Sequence, residues 1–217
     1  MTEEEWEVHR GPKHIIKELE KQKILTSRKT RLFACSCYRL IWDQIHLASI
    51  KLFVELAEAR ADRQIKQTDL QKYRTPQGKP IRNSADEHLR FYAHEILQPR
   101  VNPSNIALTT RVAGELKKYN LDMLNEWEDC PEQANLLRDI FGNPFRPINF
   151  DPEWRTSTAV GLAQTMYDAR NFHAMPILAD ALQDAGCEDA TILGHCRDEN
   201  NLHVRGCWVV DLVLNKS

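Results

Sequence analysis

Apolar residues in this chain recur three and four positions apart, segment after segment, and no pair of runs alternates at the spacing of two that paired strands require. That periodicity confines the chain to helices. Over residues 27–46 the stripe is Phe33, Cys37, Leu40, Ile41 and Ile45, with Arg31, Arg39 and Asp43 on other faces, and it predicts a long helix. Ile50, Phe53, Val54 and Ala57 continue in the same style over 50–60, joined through Ala48 and Ser49, so a kinked pair and a tight helical hairpin both fit. Over 64–83 the apolar residues thin out and Thr75-Pro-Gln-Gly-Lys-Pro supplies turn formers, which predicts an exposed loop. Helical patterning resumes over 84–97 and stops before Pro99; a further helix is expected over 104–128, with Val112, Leu116, Tyr119, Met123 and Trp127 on one stripe.

Past Pro131 the texture changes to short elements bounded by glycine and proline. A helix over 132–141 is ended by Gly142, and the two prolines of Asn143-Pro-Phe-Arg-Pro hold the next residues extended. Thr156 or Ser157 caps a helix through Phe172, and residues 176–185 carry proline at the start with Gly186 behind. A short helix over 188–193 is expected to end at Gly194, leaving 195–206 as a polar loop. The closing apolar run, 207–214, is ambiguous by period alone; helix is chosen because a lone strand would leave its backbone groups unpaired. The expected fold is therefore all-α: one compact, bundle-like multi-helix domain over 1–217, with 131–217 as a subregion of short helices and loops.

At 217 residues and 42% hydrophobic content the chain is long enough to bury a sizeable core. Its 29 basic and 31 acidic side chains nearly cancel, so no global field holds it to nucleic acid or an anionic membrane. The acidic start lacks the features of a signal peptide and no apolar run approaches a membrane span, which predicts a cytoplasmic protein with no membrane partner. In that compartment the six cysteines read as packed thiols or metal ligands before disulfides. Cys35 and Cys37 sit about 200° apart on a helix, so they cannot join in a disulfide or clasp one ion.

Chemistry is concentrated at the C-terminal end, where Cys187, His195, Cys196, His203 and Cys207 lie among glycines. Cys187, His195, His203 and Cys207 offer zinc two sulfurs and two nitrogens, yet the intervening gaps of seven, seven and three residues match no standard chelating pair. The favoured expectation is accordingly no cofactor, with zinc on those four residues as the alternative. His195 beside Cys196 supplies a base and a thiol, but sequence neighbours rarely face each other, and no phosphate loop, His-Glu-x-x-His or nucleophile-elbow motif is present. An enzyme, metal-dependent or thiol-based, is the second reading. Nucleic-acid binding is a third, resting on Arg10, Lys13, Lys17, Lys21, Lys23, Arg28, Lys29 and Arg31.

Five stretches resemble a large paralogous family of uncharacterised planctomycete bacterial proteins: TEEEW at 2–6, RKTRLFACSCYRLIW at 28–42, LLRDIFGNPFRP at 136–147, LADALQDAGC at 178–187 and HVRGCWVVD at 203–211. The resemblance implies two shared ends around a changeable middle, an organisation suited to recognising diverse protein partners. The leading expectation is thus a helical protein-interaction or adaptor module. Arg74 and Lys79 in the middle, and Arg138, Arg146 and Arg205 beside backbone-fixing Pro144, Pro147 and Gly206, are its candidate binding residues; Asp139 belongs with the polar residues held by packed neighbours.

Overall fold

The computed structural model describes residues 1–73, 90, 93–98, 101 and 130–216. Every regular element among them is helical. Numbered in chain order, the α-helices are α1 (Glu3–Val8), α2 (Pro12–Lys21), α3 (Ser27–Arg39), α4 (Ala48–Ala61), α5 (Pro131–Phe141), α6 (Ser157–Ala169), α7 (Met175–Asp184), α8 (Ala190–Arg197) and α9 (Trp208–Val213), with 3-10 turns at Trp42–Gln44, Gln67–Tyr73 and Pro152–Trp154. The chain divides into two compact units, Met1–Ala134 and Asn135–Ser217, the boundary falling within α5.

In the first unit α1 opens with a capping box in which Thr2 and Glu5 satisfy each other's backbone amides, and it buries Trp6. Glu18 of α2, buried among apolar residues, is held by Gln22 and by the ammonium of Met1 at 3.2 Å. The stripe expected over 27–46 is real but is not one helix. α3 stops at Arg39, a 3-10 turn follows, and α4 packs back against α3, while Ile41 and Ile45 remain buried beside Cys35 and Tyr38 in one apolar cluster. The turn redirects the backbone without taking the stripe out of the core.

Of the loop expected over 64–83, residues 64–73 are described, and they hold the turn Gln67–Tyr73 with Leu70 buried. Gln67 donates to the carbonyl of Leu97 at 2.9 Å. Ala93, Ile96 and Leu97 pack into the same cluster; residues 84–89, 91 and 92 and all of 104–128 lie outside the described residues, as do Arg74 and Lys79.

The second unit follows its punctuation closely. Thr156 caps α6 by accepting from the amide of Ala159, Pro176 sits in the first turn of α7, and Gly142 and Gly186 end α5 and α7 at φ +70° and +91°. α6 packs on α7 and α9, and α8 packs on α7 and α9. Leu178, Leu182, Ile192, Val209 and Val210 form the centre of their shared core. Two helices depart from their expected bounds. α6 ends at Ala169 and not at Phe172, with Arg170 in the left-handed region at φ +53°. α8 runs through Gly194 to Arg197, and the Asp189 carboxylate, capping it at Thr191 and Ile192, starts the helix two residues later than expected. His195 therefore stands on a helix and not in a loop. The final run is α9, a helix.

Candidate metal centre

Asp139 lies on α5 at a position the sequence pattern reserves for the apolar face, one residue before buried Ile140 and three after buried Leu136. A carboxylate is costly there unless it is paired. Its Oδ2 accepts the backbone N–H of Val204 at 3.0 Å, which fixes the side chain and points Oδ1 elsewhere. Oδ1 lies 2.8 Å from Nδ1 of His203 and 3.3 Å from Nε2 of His195. Cys207, the N-cap residue of α9, brings its Sγ to 3.3 Å from the same Nε2 and 3.8 Å from the same Nδ1.

Four ligand atoms thus face one point from α5, α8, the loop before α9 and the start of α9, all within 4.8 Å of one another. The surroundings are dry: Asp139, His195 and His203 side chains are 4%, 12% and 6% exposed, and Cys207 is fully buried. Burial raises the Asp139 carboxyl, but hydrogen bonds and charge from His195 and His203 outweigh it and hold the group below its ordinary range. The Cys207 thiol is pushed well up, by burial first and by the Asp139 charge second. A thiolate at this place needs a cation beside it.

The arrangement differs from a nucleophile triad in one decisive respect. In a triad the acid grips the imidazole nitrogen remote from the nucleophile; here Asp139 and Cys207 meet the same nitrogen of His195, and again the same nitrogen of His203. One N–H serves two partners only as a shared, weakened three-centre bond, whereas lone pairs from all four atoms can serve one cation. Zinc arms of about 2.1–2.3 Å place tetrahedral ligand atoms roughly 3.4–3.8 Å apart, a range bracketed by the spacings found, which run from 2.8 Å to at most 4.8 Å.

The structure brings together three of the four ligands named by the sequence alternative, His195, His203 and Cys207. Cys187 is not among them; it is buried in the apolar core, and Asp139 takes the fourth place. Cys196, next to His195, turns into that core too, and burial pushes its thiol up to about 12. Cys35 and Cys37 are buried, and burial lifts both thiols well above the ordinary value.

The arginines divide. Arg205 donates to the carbonyl of Tyr167 at 3.2 Å and stacks on its ring, Arg138 donates to Asn135 at 3.1 Å, and Arg146 is exposed. In the basic N-terminal stretch Lys13, Lys17, Lys21 and Lys23 are exposed, but Arg31 is buried and donates to the carbonyls of Ile96 and Gln98. No helix among the described residues is long and apolar enough to cross a membrane.

Compared with known proteins, the chain matches no family model, no curated protein and no solved structure.

Proposed function

We propose that the second unit is a zinc-binding domain in which Asp139, His195, His203 and Cys207 hold one Zn²⁺, and that the ion serves structure. The observation that carries this reading is the convergence of two imidazole nitrogens on one carboxylate oxygen and one sulfur, an arrangement that protons alone satisfy poorly. A mixed nitrogen, oxygen and sulfur set of four donors suits zinc better than harder or softer cations. Four protein donors leave no open position for water or substrate, which is the mark of a structural centre. For the whole chain we carry forward a protein-interaction module, with the compact second unit as its scaffold.

The test is elemental analysis of protein purified under reducing conditions. One zinc per chain is expected, lost in His203→Ala and in Cys207→Ala. Protein that contains no zinc and takes up none when incubated with Zn²⁺ would overturn the proposal.

A further inference from the structure

We infer that Trp208 and Gly142 are positioning residues for the metal centre, holding the His195 ring in its ligating orientation; the inference rests on the zinc reading above. Trp208 follows the ligand Cys207 directly, and its indole ring centre lies 4.9 Å from that of His195, the planes tilted by 48°. The ring of His203 stands 4.8 Å from His195 at 75°. His195 is therefore in contact with two rings, one belonging to a second ligand and one to the neighbour of a third. A ligating imidazole turns easily about its last side-chain bond, and a small rotation swings Nε2 off the metal. Ligands are held against that rotation by their surroundings, and loss of such support typically lowers metal affinity about 10- to 100-fold.

Gly142 explains how the indole reaches this place. It stands three residues after Asp139, at the end of α5, with φ +70°, and a Cβ built on it would lie 3.3 Å from Cγ and 3.4 Å from Cδ2 of Trp208. Those contacts are tighter than a methyl group and an aromatic ring ordinarily make. The backbone conformation itself also disfavours any side chain. The glycine thus does two things at once: it ends the helix that carries Asp139 and it leaves room for the ring that steadies His195. Trp208, 8% exposed, fills the space between the two.

The experiment uses the full chain loaded with Co²⁺, whose visible d–d bands report tetrahedral geometry, with affinity read by competition against a chromophoric chelator. Trp208→Leu and Gly142→Ala are expected to bind Co²⁺ about 10- to 100-fold more weakly than the wild type and, at saturation, to show shifted and weakened bands. Trp208→Phe, which restores a ring, should return the bands toward the wild type. Leu178→Ala, a buried change on α7, should lower the melting temperature and leave the bands of the saturated protein unchanged, because it alters packing and not the ligand shell. Should Trp208→Leu fail to fold, Gly142→Ala carries the test alone. Wild-type affinity and bands in the folded variants, or a phenylalanine variant no better than leucine, would overturn the inference while leaving the zinc reading in place. Failure of the wild type itself to bind Co²⁺ would remove both.

Discussion

At the scale of single residues, Asp139 concentrates the physics of the second unit. It is buried, yet its carboxylate is ionised in a dry pocket because Val204 and the two histidines meet its oxygens. The sign of its pH effect follows. A carboxyl whose native pKa lies below its unfolded value contributes stability that is present above the ordinary carboxylate pKa, about 3.9, and is lost as the pH falls through the lowered native value. Metal-free protein should therefore lose stability on the acid side in urea titrations, and Asp139→Asn should flatten that limb. In the metal-loaded protein zinc must displace the Cys207 proton, so binding should release protons and weaken as the pH falls. Calorimetry in buffers of differing ionisation enthalpy measures that release, and a binding enthalpy independent of buffer would contradict it.

Among the elements, α8 shows most directly how a local signal serves the site. Asp189 accepts from two amides, at 2.8 Å from Thr191 and 3.0 Å from Ile192, and so determines where the helix starts and on which face His195 emerges. Replacing Asp189 by alanine should cost about 1 kcal/mol in denaturant unfolding, and it should loosen the base on which His195 stands. α7 offers a sharper contrast between neighbours. Leu178 is fully buried and Ile177 is 58% exposed, although both are large aliphatic residues on consecutive positions. Leu178→Ala should cost about 2–5 kcal/mol, whereas Ile177→Ser should change stability by no more than about 0.5 kcal/mol. Equal losses at the two positions would mean that the face of α7 has been assigned wrongly.

For the whole molecule, the two units have separate apolar cores, one around Cys35, Tyr38, Ile50 and Val54 and one around Leu178, Leu182, Val209 and Val210. The proposed zinc ligands all belong to the second unit. Chelation should accordingly raise amide hydrogen exchange across 135–216 and leave 1–73 unchanged, and zinc at about 100 times its dissociation constant should stabilise the second unit by about 2.7 kcal/mol. Exchange that rises equally in both units would show that the centre supports more of the chain than its own core.

The amino-acid sequence by itself determined the helical class, because three-and-four spacing and capping residues act within a few positions of one another. Thr156, Pro176, Gly142 and Gly186 punctuate the helices where their dihedral preferences require, and Cys187 to Cys207 announce a density of soft ligands. The meeting of His195, His203 and Cys207 with Asp139 was beyond local pattern. The gaps between His195, His203 and Cys207 match no standard chelating pair along the chain, and it is packing that brings the three side chains together. Asp139 could be recognised as a charge on an apolar stripe, but its partner His203 lies 64 residues away. Dihedral preferences fix which face a residue occupies on its own helix; which faces meet is decided by the burial of whole elements against one another. α5, α8 and α9 had to fold and pack before four ligand atoms, none of them close enough in sequence to require it, came to surround a single point.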